Sequence, residues 1–287
     1  MENLTTTPTD NHKPDQHNSD WQRELAASVC DLPALCRTLQ LPPPNAATEA
    51  AADVFPLLVP RSYLSKIEKG NPHDPLLLQI IPQPSELLAV DGFCRDPLGE
   101  LAAADSDWLC KYPNRSLILT SNHCVVNCRF CFRRYFFTNK SKNVQTDNSS
   151  FERLNEQKSR RDTIEELILS GGDPLTLTDS ELATFIGNAV KHLPNLQRVR
   201  IHSRVPVVIP KRLTESLAEI LCDKRVVCYL VLHINHPREA DNEFAERIKR
   251  FTKSGIPIMS QTVLLKNVND NATTLIQLVK RLANLRI

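Results

Sequence analysis

From Ser116 onwards the pattern predicts an α/β fold, a partial TIM-like (β/α) barrel preceded by a helical N-terminal region. Two observations carry this. Short apolar runs at 116–121, 166–170, 198–203, 226–234 and 256–264 alternate with helix-prone stretches. Beyond the first run their starts fall about thirty residues apart, the length of a strand–helix repeat that builds parallel sheet. The chemistry-bearing residues gather directly after or at the ends of those runs, and in such barrels the loops at the C-terminal strand ends carry function.

The elements follow in chain order. Residues 1–18 are rich in Thr, Asn, Asp, Pro and His and offer nothing to bury, which predicts a disordered tail. The stretch 19–110 is expected to form a helical N-terminal region and a wrapping segment. Ser19 with Gln22 reads as a capping box opening a helix from Trp21 to Val29, and Asp31 caps a second one ending near Leu39. After the Pro42-Pro43-Pro44 break, the Ala-rich stretch 46–54 and the stretch 61–69, stopped by Gly70, give two more. Pro72, Pro75, Pro82, Pro84 and Pro97 then interrupt the chain, so 71–110 reads as turns and short elements laid over the main domain.

Residues 111–287 make the barrel. A long polar insert, 138–161, interrupts the first unit and is predicted to be a mobile loop. Helices fit at 178–192, 213–221, 240–253 and 272–285, the last carrying Leu275, Ile276, Val279 and Leu282 on one face.

Composition narrows the function classes. The 287 residues hold 35 basic and 33 acidic side chains, a formal net charge of +2, which argues against a nucleic-acid surface built on bulk charge and favours a small-molecule enzyme. The nine cysteines are an odd count in a chain too long to resemble a small disulfide scaffold. The first twenty residues are almost wholly polar and carry no signal-peptide pattern, and no apolar run is long enough to span a bilayer. A reducing, cytoplasmic setting is expected.

The first strand runs into Cys124, Cys128 and Cys131, spaced C-x3-C-x2-C. Three thiolates on one tight loop suit a 4Fe–4S cube with one iron left open for a ligand. They also suit a zinc ion completed by His123 or another group, although structural zinc sites usually add a second, distant hook, and Cys222 and Cys228 do not make one. Gly171 and Gly172 let backbone approach a ligand or simply form a β–α turn, and Asp173 can accept from an ammonium group. Arg133 is either a bidentate carboxylate grip or a solvated surface arginine. His233 is a ligand contact or a packing residue, and Tyr112 and Arg115 read locally as capping residues.

The cysteine spacing resembles the signature of radical S-adenosylmethionine (SAM) enzymes. Further motifs follow in order: Lys111-Tyr112-Pro113-Asn114-Arg115, Cys131-Phe132-Arg133-Arg134, Ser170-Gly171-Gly172-Asp173-Pro174, His202-Ser203-Arg204-Val205-Pro206-Val207, His233-Ile234-Asn235-His236-Pro237, and 261–270. Together they resemble the lysine 2,3-aminomutase family, in particular the branch that makes (R)-β-lysine for modifying elongation factor P. The resemblance runs from about Trp21 to the last residue.

That resemblance implies a partial barrel of the radical SAM type and three cofactors: a 4Fe–4S cluster on Cys124, Cys128 and Cys131, SAM, and pyridoxal 5′-phosphate (PLP). It places Gly171, Gly172, Asp173, Ser203 and His233 around SAM, Tyr112, Arg115 and Gln261 at the PLP phosphate, and Arg133 on the substrate carboxylate. The implied reaction moves the nitrogen of L-lysine from C2 to C3. In the family a lysine beyond a sixth barrel strand anchors PLP. The chain ends at Arg286-Ile287, before such a segment, so a C-terminally truncated member is expected, one that assembles a cluster but anchors no PLP and turns over no lysine. A radical SAM protein acting without PLP, or a non-catalytic remnant holding a cluster or zinc, is the alternative.

Overall fold

Six strands form one sheet in the order β1-β2-β3-β4-β5-β6, and the strands from β2 to β6 run parallel. The computed structural model describes residues 16–100, 108–135, 150–152 and 161–287. The strands are β1 (Trp108–Tyr112), β2 (Arg115–Ser121), β3 (Glu166–Gly171), β4 (Arg198–Ser203), β5 (Val227–His233) and β6 (Ile258–Gln261). All five sequence-predicted runs are therefore strands, the last shortened at both ends.

Period-two alternation decides what each strand face does. On β4, Val199 and Ile201 are fully buried in the core, whereas Arg198, Arg200 and His202 are only half-buried on the other face. That second face is the lumen of the open barrel. Its polar side chains are the first sign of a site rather than a packed interior.

Helices cover the outer face. Among the described residues the α-helices with assigned bounds are, in chain order, α1 (Gln16–Ala26), α2 (Leu32–Thr38), α3 (Ala46–Val54), α4 (Arg61–Leu64), α5 (Asp179–His192), α6 (Val205–Val208), α7 (Glu215–Leu221), α8 (Asn242–Lys253) and α9 (Ala272–Asn284). The barrel helices start where a side chain satisfies a free N–H: Thr178 caps α5 with Glu181 completing a capping box, and Thr214, Asp241 and Asn271 cap α7, α8 and α9. Helix α8 buries Phe244, Ala245, Ile248 and Phe251 at i, i+1, i+4 and i+7 spacing. Truncating Phe244, fully buried, to Ala would cost about 3–5 kcal/mol.

Four expectations need correction. Strand β1 was expected to be irregular, but it pairs antiparallel with β2 across the Pro113-Asn114 turn, with Tyr112 opposite Arg115. The helix expected at 61–69 ends at Leu64, the N–H groups of Lys66 and Ile67 reach back three residues rather than four, and Gly70 adopts φ +74°. On α9 the core takes Leu278, Leu282 and Leu285, leaving Ile276 and Val279 exposed. Residues 136–149 and 153–160 of the polar insert lie outside the described residues. Phe151 within it is fully buried, edge-on to Trp108 and against Phe185 and His192, so this point of the insert is docked.

One hydrophobic core joins the N-terminal region to the barrel, running from Trp21, Leu35 and Tyr63 through Leu169 and Ile201 to Phe251. Polar bonds reinforce it. Lys66 Nζ donates to the carbonyls of Val207 (3.1 Å) and Glu239 (3.0 Å) in the loops after β4 and β5. Residues 1–15, most of the expected tail, are outside the described part, and α1 begins at Gln16.

Candidate active site

Beyond Ser121 the chain turns directly into the cysteine loop, and the N-terminal region holds that loop from behind. Val125 and Val126 are buried. Asn127 N donates to Leu58 O (3.1 Å) and its side chain to Pro56 O (2.9 Å), while Arg129 N donates to Gln79 O (2.9 Å). The buried Arg129 side chain grips Glu86 through Nε (2.9 Å) and Nη2 (2.6 Å) and reaches Phe55 O (2.6 Å). Arg134 joins the same Glu86 carboxylate at 2.6 Å. The arginines flanking the loop are thus braces, not solvated charges.

The two glycines have a clear steric reason. A Cβ on Gly172 would lie 2.3 Å from His123 O, and one on Gly171, at φ +117°, would lie 2.7 Å from Ser121 O. Both positions therefore need glycine because backbone packs on backbone. Gly172 N donates to Ser121 O (2.7 Å) and Asp173 N to His123 O (2.8 Å), stitching the turn after β3 to the cysteine loop.

Asp173 is buried, and its carboxylate is already engaged by protein donors. It accepts from Ser203 Oγ (2.7 Å), Arg204 N (2.7 Å), Leu175 N (3.0 Å) and Val205 N (3.2 Å). Burial raises its pKa above the usual carboxylate value, against the lowering effect of those four bonds. The carboxylate expected to meet an ammonium group thus ties the loop after β3 to the loop after β4, and Ser203 is committed to the same clamp.

The three thiols are partly buried, and burial pushes all of them up, Cys131 to about 11 and Cys124 well above its usual value. Neighbouring cysteines raise Cys124 and Cys131 further. Thiols that resist ionising alone, crowded on one loop, make a donor set for a multiply charged partner, since metal supplies the positive charge that burial withholds. The soft sulfur set fits an iron–sulfur cluster, which spreads its ligands over separate irons.

Arg133 is buried and forms a fork on an internal carboxylate: Nε to Glu100 Oε2 at 2.7 Å and Nη2 to Oε1 at 3.2 Å, with Nη1 on Ser170 Oγ at 2.8 Å. The bidentate geometry expected for a carboxylate is present. Its occupant is Glu100.

Two histidines of the lumen face carry orphaned buried nitrogens, His202 Nε2 and His233 Nε2, with no partner among the described residues. Burial, with Arg204 adding to it, lowers His233 to about 4, so its ring is neutral near pH 7. It meets Phe130 edge-on at 5.3 Å. His202 Nδ1 pairs with Gln261 Oε1 at 3.1 Å. Both nitrogens can bond a polar ligand, and the contact of His233 with Phe130 of the cysteine loop fits SAM.

At the opposite end of the strands, Arg115, Arg198 and Arg200 surround the Glu166 carboxylate, with Arg115 Nε at 3.1 Å. Tyr112, exposed, stacks under Arg115 with the guanidinium 5.5 Å from the ring centre. Three guanidiniums against Glu166 and Glu165, which meets Arg198 at 3.5 Å, leave a net positive floor that fits a phosphate. Gln261 does not join this group. It pairs with His233 at the far end of β5, whereas Arg115 aligns through Glu166 and Arg198 with Val227, roughly 20 Å back along the strand. The expected trio of Tyr112, Arg115 and Gln261 is split by register.

Glu100, Glu166 and Glu239 were not singled out from the sequence, and His202 and Arg204 were named only within a motif, with no role of their own. Arg198, Arg200 and His202 had a readable signal, since three polar residues at period two within an apolar strand mark a wet lumen face.

A partial (β/α) barrel whose first parallel strand delivers three thiols to its C-terminal end defines the radical SAM class. The Radical SAM superfamily pattern matches residues 118–279, more than half of the chain. The chain is 39% identical over 262 residues to L-lysine 2,3-aminomutase of Escherichia coli (strain K12), covering 90% of this chain and 75% of that protein. It is 38% identical to the Buchnera aphidicola protein of the same name, over 94% of this chain and 79% of the relative. Against that of Clostridium subterminale it is 34% identical, over 78% and 53%. The chain belongs to the lysine 2,3-aminomutase family of radical SAM isomerases. Membership implies a 4Fe–4S cluster, SAM and PLP as its cofactors.

Proposed function

We propose that this barrel serves an aminomutase that converts L-lysine to β-lysine, with the cluster on Cys124, Cys128 and Cys131. The observation that carries this is the delivery of three thiols on one braced loop to the strand ends, in a chain 39% identical to a protein named for that activity. The cluster, SAM and PLP supply the one-electron chemistry and the conjugated ring that the amino-group shift requires.

The chain's own residues bind, orient and exclude water. His233, held neutral, offers Nε2 to SAM, and His202 offers a second nitrogen beside it. The backbone of Gly171 and Gly172, stitched to the cysteine loop, would line the SAM site beside the cluster. Arg115 with Tyr112, aided by Arg198 and Arg200, holds the PLP phosphate at the barrel floor. Arg133 takes the substrate carboxylate when Glu100 yields its place. The split between a floor that holds phosphate and a rim that holds SAM leaves the lumen for the amino acid.

The product's use in modifying elongation factor P, and a reducing cytoplasm as the setting, complete the proposal. Among the described residues no helix is long and apolar enough to cross a membrane. The test is anaerobic reconstitution with iron and sulfide, then incubation of the reduced chain with SAM, PLP and L-lysine. Iron with acid-labile sulfide is expected and zinc without sulfide would defeat the reading, whereas β-lysine in the products would overturn the expectation that this chain anchors no PLP and turns over no lysine.

A further inference from the structure

A buried guanidinium points at one of the three cysteine sulfurs. Arg204, at the end of β4, donates from Nη1 to Cys128 Sγ at 2.9 Å. Its other terminal nitrogen, Nη2, is held by Glu239 Oε1 at 2.7 Å, Gln79 Oε1 at 2.8 Å and Tyr63 OH at 3.3 Å. Glu239 and Tyr63 are fully inaccessible to solvent, and the Arg204 plane lies over Phe130 at 5.2 Å and Tyr63 at 5.7 Å.

Each partner is in turn fixed. Glu239 Oε2 accepts from Asn235 N (2.6 Å) and His236 N (2.9 Å), Tyr63 OH donates to Glu239 Oε1 (3.2 Å), and Asn235 Nδ2 donates to Gln79 Oε1 (2.9 Å). The N-terminal region, the loops after β4 and β5 and the cysteine loop therefore meet at one buried charge. Burying an ion pair costs several kcal/mol of desolvation that packing alone would not require. Such an arrangement calls for a reason, and the sulfur at its tip supplies one.

We infer that Arg204 is a positioning residue that sets the reduction potential of the cluster through its hydrogen bond to Cys128, with Glu239 tempering its charge. The inference rests on the cluster reading proposed above. Reduction adds one negative charge to the cluster, and a cation on a ligand sulfur stabilises the more negative form more strongly. Among the described residues Cys128 is the cysteine-loop sulfur that accepts a hydrogen bond from an arginine side chain. The network thereby makes the electron easier to load before SAM is cleaved. Glu239, bonded to the other side of the guanidinium, opposes that effect.

Charge arithmetic gives opposite signs for two variants. In anaerobically reconstituted protein with iron and sulfide counted per chain, the midpoint is read by potentiometric titration of the reduced cluster's paramagnetic resonance signal. Arg204→Gln is expected to lower the midpoint, cutting the reduced-to-oxidised ratio at the wild-type midpoint tenfold, about 59 mV for one electron. Glu239→Gln is expected to raise it. A purely structural network would shift neither, or both in one direction, and that result overturns the inference. Should either variant fail to load, wild-type chain labelled with nitrogen-15 arginine decides: a nitrogen coupling to the reduced cluster in pulsed resonance upholds the contact, and its absence overturns it. A wild-type chain that takes up no iron and sulfide removes the cluster reading and this inference together.

Discussion

Arg133 and Glu100 form a buried two-point ion pair, Nε to Oε2 at 2.7 Å and Nη2 to Oε1 at 3.2 Å, in the geometry that would hold an amino-acid carboxylate. An internal carboxylate in this fork competes with an incoming one. Glu100→Gln, which keeps the shape and removes the charge, is therefore expected to tighten L-lysine binding severalfold. Arg133→Lys is expected to weaken it roughly tenfold or more, since a charge-assisted bond is worth about 1.5–3 kcal/mol and an ammonium cannot reproduce the fork. Equilibrium binding at constant iron content measures both, and unchanged affinity in the pair of variants would make the contact purely structural.

Alanine at Cys124, Cys128 or Cys131 is expected to abolish a stable cluster. Alanine at Cys30, Cys36, Cys94, Cys110, Cys222 or Cys228 leaves it intact, because none of these six sits on the loop after β2. Iron and acid-labile sulfide per chain provide the readout. Full loading in Cys128→Ala would count against the ligand assignment.

Gly172 and Gly187 make a matched pair of opposite sign. A methyl at Gly172 meets His123 O at 2.3 Å and His123 N at 2.8 Å, so Gly172→Ala should cost roughly 3 kcal/mol and displace the cysteine loop. Gly187, inside α5, has open space within 4 Å, and Gly187→Ala should stabilise by about 0.5–1 kcal/mol. Urea unfolding midpoints distinguish them, with equal effects excluding the backbone-packing account.

Stability should fall with acid in a defined window. His233 is lowered to about 4 in the folded chain by burial, against an unfolded value of about 6.5. Between these two values the unfolded state binds more protons, so stability rises with pH there and is lost as pH falls from about 6.5 towards 4. The full loss from this group is about 3 kcal/mol. His233→Gln removes the titration, and metal-free His233→Gln protein should show a flatter dependence of unfolding free energy across that window. A wild-type slope retained in the variant would place the proton elsewhere. His202 and His236, both lowered by burial, act in the same direction.

Much of the fold was legible because its determinants are local. Apolar runs mark β2 to β6, at about thirty-residue spacing from β3 onwards, and Thr178, Thr214 and Asn271 mark helix starts through a bond that closes within three residues. The ligand thiols were legible for the same reason, since all three belong to one loop. Strand β1 was not, because Trp108–Tyr112 becomes a strand only by pairing with β2. Nor was the burial face of α9, where Leu275, Ile276, Val279 and Leu282 share a helical stripe but packing against the loop after β5, which also takes the Arg281 side chain at Ala240 O, buries Leu278 and Leu282 and leaves Ile276 and Val279 exposed.

By itself, then, the sequence determined the parallel strand–helix order, the cysteine loop and the family to which the motifs belong. Tertiary structure decided what each charged side chain does. Arg129 became a brace on Glu86 from 43 residues earlier, Arg133 closed on Glu100 from 33 residues earlier, and Asp173 was spent on Ser203 and Arg204. Arg204 reached Cys128 across 76 residues. The physical reason is range: helix caps and strand alternation act over a few residues, whereas a buried charge takes whichever opposite charge or donor the packed chain brings within about 3 Å, a pairing no local pattern encodes.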